Sequence, residues 1–441
     1  MRGAGRLAGL TAVRRRTARR TGLRRFDDTA DSGAGSHFRE TEGLLHRKAD
    51  RRTHRADRHL QHAHACAAGT GNRRRSAGRG EMSARPVIVI EDDPFPRILQ
   101  VILDPNASAE RRDAFAHFMA HDVPDFAGWC AETRARVPAL YPSDVRLVSS
   151  QEELRAHLPE ASAVIIESLT IGAGELAIAP GLRAVQKYGT ITRNIDLAAC
   201  AARAIPVLTL RRRANIACAE HTMAMMLTLA RKLHRITGLI SVEQLKAAGF
   251  SPTTFDRRHT AFSGWPRIPN LKMLHEATLG IVGMGEIGRE LAVRAAAFGM
   301  RVVYFQRNRL ERDEESTFSA EYAPLDTLLA ESDWVSIQLP ETESTRNFFN
   351  RERVAQMKKG AVLINVSRSG IVDRAALIGA LKSGHLGGFA LDPLYEEPGR
   401  SDDELLQFDN VMLTPHTAAQ PRFNALNDFR DLLAGLQKVL A

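Results

Sequence analysis

Three polar residues in the C-terminal part of the chain, Arg368, Glu397 and His416, lie at or just beyond short apolar runs that predict buried strands. An arginine can hold a carboxylate through two hydrogen bonds, and a histidine can gain or lose a proton near neutral pH. A glutamate beside that histidine would orient the ring and stabilise its protonated form. Taken singly, each could equally be a solvated or structural side chain. They become a candidate for acid–base chemistry only if one sheet brings the strand ends together.

A glycine-rich turn lies upstream, in the sequence Gly283-Met-Gly-Glu-Ile-Gly288. An apolar strand at 279–282 precedes it, an alanine-rich helix at 290–298 follows, and 301–305 indicates a second strand. The G-x-G-x-x-G spacing in this order predicts a turn that holds a dinucleotide pyrophosphate at a helix N-terminus. The alternative is a glycine turn without a ligand.

The turn and the three polar residues together suffice for one reaction. A nicotinamide cofactor carries hydride, and Arg368 would anchor the carboxylate of a 2-oxo acid and polarise its carbonyl. His416, with Glu397 as its partner, would supply or remove the hydroxyl proton. Asp392 also falls at a strand end in this region. The reaction requires no metal.

The elements that must position these residues follow from β-branched runs that alternate with amphipathic stretches, a pattern typical of parallel α/β units. The first domain should be flavodoxin-like, with helices at 109–119 and 151–157. We predict its strands at 86–90, 145–148, 163–166, 184–187 and 206–208. A long helix at 217–233 and a polar segment containing prolines lead to the glycine turn.

Beyond the turn, the same alternation predicts a doubly wound sheet whose strand ends share one crevice. We predict its later strands at 301–305, 334–339, 361–366, 388–391 and 410–413. No strand follows the amphipathic stretch at 422–439. We therefore expect this final helix to return and pack on the first domain.

Charge is distributed unevenly along the 441 residues. The first 81 residues hold 20 Lys plus Arg against 8 Asp plus Glu, and the remaining residues hold 41 against 43. A slightly acidic folded part argues against nucleic-acid binding. Residues 1–85 show no apolar periodicity, which predicts a disordered basic tail. The tail could be a nucleic-acid arm, a targeting peptide or, as we favour, sequence upstream of a true start at Met82.

Hydropathy and cysteine usage indicate a soluble protein of the cytoplasm. The chain has no uncharged apolar run of the length that spans a membrane. Its four cysteines show neither metal-ligand spacing nor a disulfide framework. They are Cys66, Cys130, Cys200 and Cys218.

From about residue 86 onward, the chain resembles the D-isomer-specific 2-hydroxyacid dehydrogenases, which include D-3-phosphoglycerate, glyoxylate/hydroxypyruvate and D-lactate dehydrogenases. The motifs that carry the resemblance are the glycine turn, Leu339-Pro340 with Thr345, the run at 365–373, Leu391-Asp392 with Glu397-Pro398, and Thr414-Pro415-His416. The resemblance implies a homodimer and two doubly wound parallel-sheet domains. The substrate domain would comprise 86–207 plus 417–441, split by an inserted Rossmann dinucleotide-binding domain at 208–416.

The resemblance also assigns roles to residues. It implies that Arg368, Glu397 and His416 are catalytic, and that Asp392 contacts the nicotinamide side of NAD(P)(H). The predicted substrate-binding residues are Gly189, Thr190, Ile191 and Arg368. The predicted cofactor-binding residues are Gly283, Gly285, Glu286, Ile287, Gly288, Gln306, Arg307, Leu339, Pro340, Thr345, Val366 and Asp392.

Three departures from the family pattern bear on specificity. Gln306 replaces the acid expected to bind the adenosine ribose, and Arg307 follows it, which favours NADP(H) over NAD(H). Ile191 replaces a second glycine in the substrate loop. Glu167 stands where members that act on phosphorylated substrates often carry a basic residue, so it disfavours a phosphorylated substrate.

Two kinds of protein therefore remain candidates. The first is an enzyme that interconverts a small 2-oxo acid and its D-2-hydroxy acid. The second is a catalytically idle dinucleotide sensor that binds a protein partner. The presence of all three catalytic residues favours the enzyme.

Overall fold

The computed structural model describes residues 85–261 and 263–441. They form two parallel sheets flanked by helices, which confirms the predicted α/β class with two doubly wound domains. The predicted disordered tail, the start at Met82 and Cys66 lie outside the described residues.

The first sheet has five strands in the order β2-β1-β3-β4-β5, all parallel. Its strands are β1 (Val87–Glu91), β2 (Asp144–Val148), β3 (Ala163–Ile166), β4 (Ala184–Lys187) and β5 (Val207–Leu208). Every residue of β3 and β4 is buried, including Gln186 and Lys187 at the end of β4, as expected in a sheet that helices cover on both faces. This strand order is that of a flavodoxin-like domain.

Helices cover both faces of this sheet. They are α1 (Ile98–Leu103), α2 (Ala109–Met119), α3 (Phe126–Arg136), α4 (Gln151–His157), α5 (Ala173–Ala177) and α6 (Leu197–Ala202). Several begin where the sequence supplies a cap. Ser108, for example, accepts a hydrogen bond from the backbone N–H of Arg111, and Ser150 accepts one from that of Glu153.

The second sheet has seven parallel strands in the order β12-β11-β10-β9-β6-β7-β8. They are β6 (Thr278–Val282), β7 (Arg301–Phe305), β8 (Ala320–Tyr322), β9 (Trp334–Ile337), β10 (Val362–Asn365), β11 (Gly388–Leu391) and β12 (Val411–Leu413). The order reverses between β6 and β9, as in a Rossmann fold. Ligands bind at this switch point, beyond the carboxyl ends of the strands.

The helices after β5 are α7 (Arg213–Arg231), α8 (Leu233–Ile236), α9 (Val242–Ala247), α10 (Glu286–Ala297), α11 (Arg312–Phe318), α12 (Leu325–Glu331), α13 (Arg351–Gln356), α14 (Arg374–Lys382) and α15 (Phe423–Leu440). Helix α7 packs along α10 in one buried cluster, where Ala219 and Ala292 allow close approach. The long interdomain helix therefore belongs to the core of the second domain.

The C-terminal helix α15 returns to the first domain, as its amphipathic pattern predicts. Its Leu426, Phe429 and Leu433 lie in the same buried cluster as Ile88 of β1. Phe429 stacks on Tyr188 with ring centroids 5.6 Å apart. The second sheet is thus inserted between β5 and the helix that completes the first domain.

Three short elements were not predicted, and several boundaries were wrong by a few residues. The edge strand β8 has three residues, α8 has four, and α9 lies within the polar segment before the glycine turn. Helix α7 begins at Arg213 rather than 217, and α10 begins at Glu286 rather than 290. Helix α10 starts inside the glycine motif because Gly285 is its N-cap. The exact domain limits stay a prediction.

Candidate active site

The glycine turn connects β6 to α10 at the carboxyl edge of the seven-stranded sheet. Gly283 has φ +105°, and a Cβ there would collide with the carbonyl oxygen of Gln338. A Cβ at Gly288 would strike the carbonyl oxygen of Gly283, whereas Gly285 faces open space. Gly283 and Gly288 are therefore required for packing, whereas Gly285 leaves the backbone accessible.

This turn fits a dinucleotide pyrophosphate. No side chain caps α10 at Gly285, so the backbone N–H groups of the first turn are oriented toward an incoming anion. Ile287 packs beside the buried cluster of the second domain and fixes the helix on the sheet. The glycines would hold the phosphates without a side chain between them.

The end of β7 carries the residues expected at the adenosine ribose. Gln306 donates a hydrogen bond from Nε2 to the carbonyl oxygen of Asn308, 2.6 Å away. Arg307 is exposed and forms no ion pair within the described part of the chain. Arg309, in contrast, pairs with Glu315 at 2.8 Å. Of the two arginines, Arg307 is the one available to an anion.

The remaining predicted cofactor residues follow β9 and β10. Leu339 packs against the buried cluster beneath the sheet, and Val366 is buried just after β10. Thr345 donates a hydrogen bond to the carbonyl oxygen of Pro340 at 2.6 Å and accepts one from the backbone N–H of Thr342 at 2.7 Å. These contacts fix the turn after β9.

His416 and Glu397 meet beyond the ends of β12 and β11. The Nδ1 atom of His416 lies 3.0 Å from the Glu397 carboxylate, and both side chains are nearly half exposed. Glu397 also accepts a hydrogen bond from the backbone N–H of Leu394 at 2.9 Å. The hydrogen bond from His416, assisted by that of Leu394, holds the pKa of Glu397 below its usual range. The two residues were predicted to lie at one edge of the sheet, and the structure brings them together there.

Asp392 anchors the segment that carries His416. Its carboxylate is fully buried and accepts hydrogen bonds from the Thr414 hydroxyl at 2.6 Å and from the backbone N–H groups of Thr417 and Ala418, both at 2.9 Å. The carbonyl oxygen of Asp392 accepts a further bond from the backbone N–H of His416 at 3.0 Å. His416 itself adopts the left-handed conformation, with φ +54°. The backbone at the corner is therefore fixed by local bonds.

His221 joins this corner from helix α7 and was not assigned a role by the sequence analysis. Its Nε2 lies 3.1 Å from the Thr414 hydroxyl and 3.4 Å from a carboxylate oxygen of Asp392. These partners lie more than 170 residues later in the chain, so the residues around His221 do not predict the contacts. Only the fold brings them together.

Arg368 follows β10 and is exposed. Its Nη1 donates to the neighbouring carbonyl of Ser367 at 2.7 Å, and its own carbonyl accepts from Asn365 Nδ2 at 2.8 Å. Within the described residues, no hydrogen bond or ion pair joins the Arg368 side chain to His416 or Glu397. Across 85–261 and 263–441, its guanidinium pairs with no carboxylate.

The predicted substrate loop, Gly189 to Ile191, follows β4 and faces Glu286 of the glycine turn. One carboxylate oxygen of Glu286 accepts from the backbone N–H of Thr190 at 2.5 Å and from that of Ile191 at 3.3 Å. The other oxygen accepts from Asn215 Nδ2 at 2.6 Å and Arg212 Nε at 3.3 Å. Glu286 was predicted to bind the cofactor, and its contact with the loop of the other domain was not predicted.

Charged groups surround this loop. Arg212 also pairs with Glu167 at 2.8 Å and lies over the ring of Tyr188, 4.9 Å from its centroid. Burial raises the pKa of Glu167 although Arg212 opposes the shift. Burial lowers the pKa of Lys187, whose ammonium donates to the carbonyl oxygen of Glu167 and to Asn194. The acid expected to repel a phosphorylated substrate is therefore already paired.

Some features are absent from the described residues. None of their helices is long and apolar enough to cross a membrane. Across 85–261 and 263–441, no group of three or more His, Cys, Asp or Glu residues is arranged to hold a metal ion. The cysteines in these ranges, Cys130, Cys200 and Cys218, are buried and free.

Comparison with known proteins identifies the family. Residues 223–418 match the model described as D-isomer specific 2-hydroxyacid dehydrogenase, NAD binding domain. The hydroxypyruvate reductase of Thermotoga maritima is 34% identical over 272 residues, which cover 61% of this chain and 81% of the relative. The glyoxylate/hydroxypyruvate reductase B of Yersinia pestis is 34% identical over 297 residues, which cover 66% and 86%. The glyoxylate reductase of Korarchaeum cryptofilum is 36% identical over 242 residues, which cover 55% and 68%.

The chain belongs to the D-isomer-specific 2-hydroxyacid dehydrogenase family. This confirms the resemblance drawn from the sequence motifs. The protein is thus an oxidoreductase with an NAD-binding domain, and that domain includes the glycine turn and the His416 corner.

Proposed function

We propose that this protein interconverts a small 2-oxo acid and its D-2-hydroxy acid by NAD(P)-dependent hydride transfer. The observation that carries the proposal is the 3.0 Å contact between His416 Nδ1 and the Glu397 carboxylate. It lies at the carboxyl edge of the sheet that carries the glycine turn. The names of the relatives support glyoxylate and hydroxypyruvate as the first substrates to test.

His416 is the proposed acid and base. With Nδ1 directed to Glu397, the Nε2 atom of His416 is left to exchange a proton with the substrate oxygen. Glu397, whose pKa is lowered, stays a carboxylate and stabilises the imidazolium before the proton leaves. In reduction, His416 donates this proton to the carbonyl oxygen. When bound, the nicotinamide cofactor supplies the hydride or accepts it in the reverse direction.

Two groups are proposed to hold the substrate. Arg368 would bind the carboxylate or polarise the carbonyl, since its guanidinium has no acidic partner in the described residues. The backbone N–H groups of Thr190 and Ile191 would donate hydrogen bonds to the carboxylate, as they do to Glu286. The adjacent Glu167 supports a substrate without a phosphate, even though Arg212 neutralises part of its charge.

For the cofactor, we propose a preference for NADP(H) over NAD(H). A carboxylate at the end of β7 would repel a 2′-phosphate, and this chain has Gln306 instead. Arg307 beside it is exposed and has no ionic partner among the described residues. A neutral amide next to such an arginine leaves room for a phosphate, to which the arginine can donate hydrogen bonds.

The proposed setting is that of a cytoplasmic homodimer that acts on a small molecule and binds no nucleic acid. The dimer rests on the family resemblance, and the cytoplasm on the scattered cysteines. The near balance of 41 basic against 43 acidic residues after residue 81 supports a partner other than nucleic acid.

A panel of 2-oxo acids assayed with NADH and with NADPH tests the proposal. We expect turnover of at least one small 2-oxo acid and formation of the D-hydroxy acid, identified by chiral chromatography. The competing idle sensor predicts cofactor binding without turnover of any acid in the panel. That outcome, with correctly folded protein, would refute the proposed activity.

A further inference from the structure

We infer that the Glu286 carboxylate competes with the substrate carboxylate for the backbone N–H groups of Thr190 and Ile191, and thereby sets the affinity of the enzyme for its acid. The inference rests on the proposed function, since it concerns the loop that the substrate would use. It assigns to Glu286 a role in substrate affinity beyond its place in the glycine turn.

The contacts of the Glu286 carboxylate resemble those expected of a substrate carboxylate bound to the loop. One oxygen receives the backbone N–H of Thr190 at 2.5 Å, that of Ile191 at 3.3 Å and the Thr190 hydroxyl at 3.4 Å. Two adjacent N–H groups that converge on one carboxylate oxygen form an anion-binding concavity. A second carboxylate cannot share these donors, because like charges at such distances repel and each donor is already used.

The loop is shaped around this carboxylate. Gly189 has φ +148°, and a Cβ at Gly189 would collide with the nearer oxygen of Glu286. The backbone conformation favours glycine here, and the missing side chain leaves room for the Glu286 carboxylate. A Glu286 side chain that only stabilised the positive N-terminus of α10 would not have to extend to the Gly189 loop of the other domain.

Glu286 can leave the loop without losing all its partners. Its second oxygen stays within reach of Asn215 Nδ2 and Arg212 Nε, which belong to the start of α7. Arg212 is held in turn by Glu167. When the substrate takes the loop N–H groups, Glu286 therefore gives up only the contacts to Thr190 and Ile191. The free energy that this exchange costs raises the KM of every acid that binds to the loop.

Replacement of Glu286 tests the inference. Glu286→Gln removes the charge at nearly the same size, and Glu286→Asp keeps the charge but shortens the side chain by one methylene. In both variants we expect the KM for the 2-oxo acid to fall about tenfold at saturating cofactor, which corresponds to about 1.4 kcal/mol. Glu290→Gln is the matched control, because Glu290 lies on the same helix with the same 13% exposure and pairs with Arg211 and Arg294. It should keep the wild-type KM.

A binding measurement separates this inference from the proposed function. Oxalate, a planar dianion without a reducible carbonyl, is titrated into each variant by calorimetry in the absence of cofactor. Tighter oxalate binding by Glu286→Gln and Glu286→Asp supports the competition even if no acid is turned over. Unchanged or weaker binding by both folded variants, with Glu290→Gln like wild type, overturns the inference while leaving any observed turnover intact.

Discussion

Two parts of the proposed site, the His416 corner and the Thr190 loop, are its two walls, and they are held in place by different means. At the His416 corner, a fully buried Asp392 fixes the segment through hydrogen bonds whose partners lie within 26 residues of it, and His221 adds one contact from α7. At the Thr190 loop, the bonds run between domains to Glu286, and Arg212 balances the charge.

This difference predicts which of the two walls should change its contacts when a ligand binds. Hydrogen bonds to the fully buried Asp392 are costly to break, because no water can replace them. Glu286 is 13% exposed and its partner Arg212 is 20% exposed, so another anion can take its place more easily. We therefore expect changes at the corner to reduce turnover or stability, and changes at the loop to alter affinity.

The largest expected effect breaks the chemistry at the corner. His416→Ala removes the proposed proton donor, so kcat/KM should fall by about 10² to 10⁴-fold. Binding of NADH or NADPH, measured by calorimetry, should stay as in wild type, because the glycine turn is untouched. Unchanged turnover in this variant would show that His416 is not the acid and base.

The next effect tests whether the corner is rigid. Asp392→Asn replaces an oxygen that accepts backbone N–H groups by an amide nitrogen that cannot accept them. We expect the free energy of unfolding to fall by about 1–3 kcal/mol, as measured by urea denaturation. Glu286→Gln in the same assay is the contrast, and its loss should be smaller. Equal losses would remove the distinction between the two walls.

Glu397→Gln sharpens the role of the pair. Loss of a hydrogen bond to a charged partner should lower kcat/KM by about ten- to a hundredfold. Because the pKa of Glu397 is lowered in the folded protein, its carboxylate persists as pH falls through the usual glutamate range, and the pair is lost only at lower pH. The wild-type advantage over Glu397→Gln should therefore be retained down to about pH 4.3, the ordinary glutamate value. A wild-type advantage that disappears well above that pH would contradict the pair.

The smallest effect concerns the far end of the cofactor crevice. Arg307→Ala should lower kcat/KM with NADPH by at most about tenfold, since the arginine is exposed and its charge is screened. Values with NADH should change much less. Arg309→Ala is the matched control, because Glu315 already pairs with Arg309. A preference of the wild type for NADH by more than about tenfold, some 1.4 kcal/mol, would refute the proposed NADP(H) preference.

The sequence was most informative where local patterns define structure. The glycine spacing, the apolar runs of β10 to β12 and the polar residues after them each depend on a few neighbouring positions. The His416–Glu397 pair followed because parallel strand ends share one edge. The short strand β8 and helix α9 carry too few residues for a periodic pattern.

Contacts between distant segments could not be predicted from the sequence. Glu286 lies 96 residues after Thr190, and its spacing within the glycine motif explains only its place at the helix start. His221 likewise looks like any residue on an amphipathic helix. Both become functional candidates only when the inserted domain places α7 and α10 beside the substrate loop.

The second passage of the chain between the domains, from β12 to α15, includes His416. Helix α7 is fastened to both ends of this passage, by His221 to Thr414 at 3.1 Å and by Arg213 to Asp428 at 2.7 Å. A rotation of one sheet relative to the other would therefore be transmitted through the segment that carries His416, the proposed proton donor.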